Sequence, residues 1–416
     1  MTTVTNTVTT AASTAPRTPI RPSPSPLRPS ALLEDVAEAG SIKQNNRVYE
    51  LKAAGADVIT LSLGEAFFDI PMPSLEELGP EAHRYSHSLG VQLLRDKLAK
   101  HHEQTSGTPV DPDTEIMVTA GSKAALYMAL VALVEPGDEV IVPEPMWVSY
   151  HDQVRLCRGV PVPVPWDGTV EDIAARITAR TRAVIVNNPH NPTGRRMSAA
   201  ELVRLHDLAD AHGLALIADE VYSEFVPDDA PYPRIGTFDP GKEHTIVCNS
   251  MSKNFGISGW RIGYVIADGP LMRQLMKLQQ HMLTCAPTIL CHYLAENFET
   301  VLARTRPQIR RMVALRNRMA DTFAARGVAC LPGDSTFYLF PSIASSRLTS
   351  GEFADELLRR YRVSAVAGLA YGQSCDRFIR VSVGAEPEDR LLRGIHAICD
   401  LIDETRIDAR AEADQR

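Results

Sequence analysis

Residues 183–222 read AVIVNNPHNPTGRRMSAAELVRLHDLADAHGLALIADEVY, and the fold is decided there. The stretch opens on an almost continuously apolar run, AVIVNN, and ends on a second one, LALIAD, before its final Glu-Val-Tyr. Such runs are expected of strands covered by helices on both faces, as in a parallel sheet. Between them, Ser198 and Glu201 form a capping box, Ser-Ala-Ala-Glu, ahead of apolar Leu202, Leu205 and Leu208 at helical spacing. A helix therefore begins near Ala199, and the segment is a strand–helix–strand unit.

The alternation extends in both directions. Short β-branched runs at residues 115–119, 139–143, 160–164, 183–187, 214–218, 245–248 and 262–267 are separated by helical segments. Prolines at 161 and 163 make the third run the weakest, confined to a sheet edge or to no strand at all. The pattern predicts an α/β domain with a mostly parallel seven-stranded sheet flanked by helices. Beyond about residue 290 the order changes. Long helices follow, one running from Pro307, a residue tolerated in a first turn, to Arg326; then come strands near 336–340, 363–366 and 378–383, and a final helix over 387–404. This predicts a smaller α+β domain. Towards the N-terminus we expect a short helix within 31–51, a strand at 58–63, a loop at 64–80 and a helix at 91–102. The domains divide as an N-terminal arm or part of the small domain (31–75), a large domain (76–295) and a small domain (296–404). A disordered Thr/Ser/Pro-rich tail (1–30) and a polar tail (405–416) flank them.

Composition narrows the class. With 416 residues, 44% hydrophobic and 23% charged, the chain reads as globular rather than disordered. Lys and Arg number 43 against 51 Asp and Glu, a net charge of −8 without a basic run, which argues against nucleic acid as a partner. No apolar stretch reaches the roughly 20 residues of a membrane span. The N-terminal segment lacks the apolar core of a secretory signal. The seven scattered cysteines form no CxxC pair, so neither a disulfide framework nor a metal site is expected, and a reducing cytoplasm is.

The chemistry concentrates at NSMSKNFGISGWRIGY, residues 249–264. Glycines at 256, 259 and 263 allow backbone to approach a ligand closely, while Ser250, Ser252 and Arg261 supply donors for a phosphate. Ser-Met-Ser-Lys with Arg eight residues on resembles the lysine signature of class I/II pyridoxal-phosphate aminotransferases, the aspartate aminotransferase family of fold type I. Further motifs follow in the order that family requires: VTAGSK (118–123), NNPHNPTG (187–194) and ADEVY (218–222).

The resemblance implies roles residue by residue. Lys253 is the lysine joined to the aldehyde of pyridoxal 5′-phosphate, and Asp219 the anion that keeps the ring nitrogen protonated, since an opposite charge favours the charged form. Asn191 and Tyr222 donate to the cofactor's phenolic oxygen. Gly121, Ser122 and Lys123 open a helix whose N-terminus suits the phosphate, joined by Ser250, Ser252 and Arg261. Trp147 stacks on the ring, Tyr85 reaches the phosphate from the other subunit of a homodimer, Gly64 lies beside the substrate, and Arg380 forks onto its α-carboxylate. With Trp147 and Asn191 these last two make up the substrate site; Lys253, Asp219 and Tyr222 make up the catalytic group. The family's Pro-Asp after Gly-Glu is Ala66-Phe67 here, so the loop's substrate contacts depart from the pattern.

The implied activity is amino transfer between an L-amino acid and a 2-oxo acid in two half-reactions. A carbon–sulfur lyase or other elimination enzyme of the same fold is the alternative, and a non-catalytic cofactor-sensing module a remote one. Glu65 and Asp69 beside Gly64 suggest a cationic or otherwise specialised side chain on the substrate.

Overall fold

The computed structural model describes residues 27–72, 74, 77–165, 169–228 and 232–407. Most of the expected N-terminal tail (1–26) and the end of the polar tail (408–416) lie outside the described residues. In chain order the main elements are α1 (Gly40–Ala53), β1 (Ile59–Thr60), α2 (Gln92–Ser106), β2 (Ile116–Thr119), α3 (Ser122–Leu133), β3 (Glu139–Pro143), α4 (Tyr150–Leu156), β4 (Val160–Val164), α5 (Val170–Ala174) and β5 (Thr181–Asn187). There follow α6 (Ala199–His212), β6 (Ala215–Asp219), β7 (Thr245–Ser250), α7 (Met251–Asn254), β8 (Gly263–Ile266), α8 (Gly269–Met282) and α9 (Thr288–Ala325). The last are β9 (Tyr338–Leu339), α10 (Ser350–Tyr361), β10 (Val363–Ser364), β11 (Val366–Ala367), β12 (Ile379–Ser382) and α11 (Glu388–Glu404).

Seven strands form the central sheet in the order β2-β8-β7-β6-β5-β3-β4, with β8 antiparallel to both neighbours and the Pro-bearing β4 at the edge. The continuous apolar runs are explained by period-two burial. Val184 and Val186 pack into one helix layer, with Leu202 and Leu205 of α6 and Leu94 and Leu98 of α2. Ala183 and Ile185 face the other layer, with Ala125 and Leu130 of α3 and Met272 and Leu275 of α8. Each buried leucine contributes about 1.5–3 kcal/mol. The capping box at Ser198 is formed, and α6 starts at Ala199.

A second lobe holds the antiparallel sheet β11-β12-β9, with α10 and α11 packed near it. Strand β1 pairs in parallel with β10, so the segment after α1 joins this lobe although it lies 300 residues earlier. Three expectations need correction. The helix expected from Pro307 begins instead at Thr288 and runs through the proline. Its first half packs Leu294, Phe298 and Val301 into the large core, and its second half packs Ile309, Val313 and Phe323 into the core of the second lobe. Burial at both ends outweighs the roughly 3 kcal/mol of an internal proline. The strand expected at 363–366 divides into β10 and β11, which join different sheets, and only Ile59–Thr60 of 58–63 pairs as strand.

Candidate active site

The site lies at the carboxyl ends of the parallel strands, where α/β sheets hold ligands. Asp219 ends β6, in register with Asn187 at the end of β5. It is 4% exposed. One carboxylate oxygen accepts from the Tyr150 hydroxyl at 2.6 Å. The side-chain amide of Asn187 donates to the Asp219 carbonyl at 2.9 Å, and its oxygen accepts from the Asn191 N–H at 2.7 Å. That second bond fixes Asn191, whose side-chain oxygen is buried with no partner. Burial pushes the Asp219 carboxyl up to about 6, against the opposing pull of the Tyr150 hydrogen bond and the Lys253 charge.

Lys253 sits on the one-turn helix α7, directly after β7. The Ser250 hydroxyl caps that turn: it accepts from Ser252 N–H at 3.0 Å and donates to the Ile262 carbonyl at 3.2 Å. Its proton is thereby used within the chain. The Ser252 hydroxyl, by contrast, is buried without a partner among the described residues. The Lys253 ammonium donates to the Gly64 carbonyl at 2.5 Å. Burial lowers its pKa to about 8, opposed by Glu65 and assisted by Arg380 and Arg261. Lys253 follows β7 and Asp219 ends the adjacent parallel strand β6, so the two lie at the same edge of the sheet, and each charge acts weakly on the other's proton affinity.

Gly121 joins β2 to α3 at φ 82°, and a Cβ there would come within 2.4 Å of the Arg261 guanidinium. Only glycine fits. Arg261 is held by its bond to the Ser258 carbonyl at 2.9 Å, and Ser122 opens α3 beside it. Lys123 lies 4.9 Å above the Trp147 ring, and burial with the neighbouring Arg261 lowers its pKa. Trp147 is in the loop before α4, edge-on to Tyr150 at 5.3 Å.

The opposite wall comes from the second lobe. Arg380, on β12 and 3% exposed, donates to the Ser62 carbonyl at 2.7 Å. Its guanidinium lies 4.5 Å from the Tyr338 ring centre and 5.4 Å from that of Tyr371, and its Nε is buried without a partner. Gly64 abuts this group: a Cβ there would lie 2.8 Å from the Tyr338 hydroxyl. The Tyr222 hydroxyl is 3.1 Å from that of Tyr338. Tyr85 stands apart at 84% exposed. Asp69 points outward to Arg304 at 3.4 Å.

Sequence reasoning missed Tyr150, Asn187 as an anchoring group, Tyr338 and Tyr371. For Asn187 the signal was present, since it ends the strand that precedes NPTG. The tyrosines reach the site through packing, which no local pattern announces.

A Ser252 hydroxyl unpaired among the described residues, a glycine backed by Arg261 and a buried carboxylate with no ion pair among the described residues fit a phosphorylated, nitrogen-containing cofactor. Among the described residues no cluster of metal-ligating side chains occurs. Fold and site together define an enzyme that uses a lysine-bound cofactor at the strand ends of a parallel sheet. The chain belongs to the aminotransferase class I and II family, whose model matches residues 56–398. It is 32% identical to an aspartate aminotransferase of Pyrococcus abyssi, over 81% of this chain and 90% of that protein. It is 35% identical to the arginine–pyruvate transaminase AruH of Pseudomonas aeruginosa, over 83% and 90%. The aspartate aminotransferase of Thermus thermophilus solved with maleate superposes with a TM-score of 0.82 at 27% identity, covering 90% of this chain and all of that one. The protein is thus a pyridoxal-phosphate-dependent transaminase of fold type I.

Proposed function

We propose that the chain passes an amino group from an L-amino acid to a 2-oxo acid in two half-reactions, with the site residues in the following roles. Lys253 holds the cofactor's aldehyde, and Asp219 pairs with its ring nitrogen. Gly121, Ser122, Lys123, Ser252 and Arg261 receive the phosphate, Ser250 shapes the turn that presents Ser252, and Asn191 and Tyr222 take the phenolic oxygen. When bound, the group supplies an electron sink for a carbanion at the substrate's Cα. Arg380 and Gly64 orient the substrate carboxylate, and the partly neutral amine of Lys253 takes the Cα proton. What carries the reading is the placement of the buried Asp219 carboxylate at the end of β6 and of the Lys253 amine just after the adjacent parallel strand β7.

The exposed Tyr85, with Phe67, Met72 and Met282 also exposed, supports a homodimer in which Tyr85 completes the partner's phosphate site. A reducing cytoplasm suits the seven unpaired cysteines. No helix among the described residues is long and apolar enough to cross a membrane.

For the donor, a cationic side chain is the reading best supported. The Glu65 charge reaches the Lys253 amine and Tyr338, and one relative is named for arginine. The test is single-turnover spectroscopy of the loaded enzyme with arginine, aspartate and phenylalanine. Conversion to the amino form of the cofactor, fastest with arginine, is expected. Aspartate equalling arginine would remove the cationic preference, and release of pyruvate and ammonia from a sulfur amino acid would favour elimination, which the relatives' names leave unsupported.

A further inference from the structure

We infer that Tyr338 is a positioning residue: its hydroxyl fixes the direction of the Tyr222 proton, and its ring fixes the guanidinium of Arg380. The inference rests on the reading of Tyr222 as a donor to the cofactor's phenolic oxygen and goes beyond it.

Tyr338 is held rigidly. It is 1% exposed, on β9, whose neighbour β12 carries Arg380. Its N–H donates to the Thr336 hydroxyl at 3.1 Å, and its carbonyl accepts from the Nε of Arg316 at 2.9 Å. The ring therefore has little freedom, and its hydroxyl is pressed against Gly64, where no Cβ fits.

Proton counting gives the direction. The two hydroxyls, 3.1 Å apart, share one hydrogen bond, and either could donate it. Tyr222 has a single proton. If that proton goes to the phenolic oxygen, the Tyr222 oxygen must be the acceptor from Tyr338. Tyr338 as acceptor would instead turn the Tyr222 proton away from the cofactor. The Arg380 charge favours the first arrangement. Burial pushes both hydroxyls up, Tyr222 further than Tyr338, and the Arg380 charge opposes this at both; with the guanidinium 4.5 Å from its ring centre, Tyr338 is the more acidic of the two and the better donor. A chain of two hydrogen bonds polarises along its length, so Tyr338 also strengthens the bond that Tyr222 makes outward. One side chain thus links the substrate-carboxylate arginine to the tyrosine at the cofactor.

Four forms test this: wild type, Tyr222→Phe, Tyr338→Phe and the double variant, each loaded with cofactor and titrated by absorbance against pH without substrate. A donor to the phenolic oxygen stabilises its anion, so losing that donor raises the titration midpoint. Tyr222→Phe should raise it by about one pH unit. Tyr338→Phe should raise it by roughly a third of that, and the double variant should match Tyr222→Phe alone. Tyr338→Phe keeps the ring over Arg380 and should lower kcat with KM unchanged. Tyr338→Leu, which removes the ring, should raise KM as well. An unchanged midpoint in Tyr338→Phe while Tyr222→Phe shifts would overturn the inference and leave the reading of Tyr222 standing. Additive shifts in the double variant would overturn the route through Tyr222. No shift in Tyr222→Phe would overturn both.

Discussion

The two walls of the cleft are built by different means. On the side proposed for the cofactor, Asn187, Asp219 and Ser250 end three adjacent parallel strands, and sheet registers set their spacing. On the side proposed for the substrate, Gly64, Tyr338, Tyr371 and Arg380 are gathered from separate segments. Arg380 is tied to Ser62, 318 positions earlier, by one side-chain bond. The first wall places charge through backbone, the second through side chains clamped on one another. Under the proposed roles, chemistry common to all substrates is fixed by the sheet, and selectivity can change on the other wall without disturbing it.

The comparison is most sharply tested at Asp219. In the proposed role Asp219 pairs with the ring nitrogen of the bound cofactor, and removing one partner of such a buried pair costs about 3–5 kcal/mol. Asp219→Asn should therefore lower half-reaction turnover by roughly a thousandfold, checked by stopped-flow absorbance. Without cofactor the same substitution should stabilise the chain. Burial raises the carboxyl from 3.8 to about 6 in the folded state. The folded chain then favours the protonated form: that contribution is complete below about pH 4 and is lost as pH rises through 6, a deficit of about 3 kcal/mol. Urea unfolding of the cofactor-free proteins should show similar stability at pH 4 and the variant ahead at pH 8. A gap that does not widen with pH would mean that the wall stores no uncompensated charge.

The phosphate end of that wall is tested next. Gly121→Ala meets both the positive φ of 82° and the Arg261 contact at 2.4 Å. Cofactor affinity should fall by roughly 10- to 100-fold, measured by equilibrium dialysis. Gly213→Ala is the control: its φ is 63°, but nothing lies within 4 Å of its Cβ, so it should lose stability and keep affinity.

How much of each wall could be read from the sequence follows from how it is built. Lys253, Asp219 and Asn191 lie in contiguous motifs at strand ends, where the apolar run itself announces the position. Six of the seven strands of the sheet were legible for the same reason, because period-two burial on both faces leaves an apolar run; β4, with two prolines and mostly unburied, was the weakest reading. Tyr150 was not legible: its bond to Asp219 spans 69 positions and depends on where α4 docks. Nor was the continuation of α9 through Pro307, since local propensity opposes it and only two distant cores sustain it. Arg380 was marked by its resemblance to a family position, but nothing near it in sequence foretold the tyrosines on either side.

The substrate loop gives the smallest effect and the finest division. Glu65 and Asp69 are both acidic and only four residues apart, yet the fold sends them to different surroundings. The Glu65 charge is felt at the Lys253 amine and at Tyr338 inside the cleft. Asp69 is 85% exposed at its side chain and meets Arg304 in solvent, where such pairs contribute little. In kcat/KM assays the ratio of arginine to phenylalanine as donor should fall roughly fivefold in Glu65→Gln and stay within about twofold in Asp69→Asn. A larger effect from Asp69 would mean that the loop closes over the substrate during turnover and turns its outer carboxylate inward. Selectivity would then depend on loop motion as well as on the clamped wall.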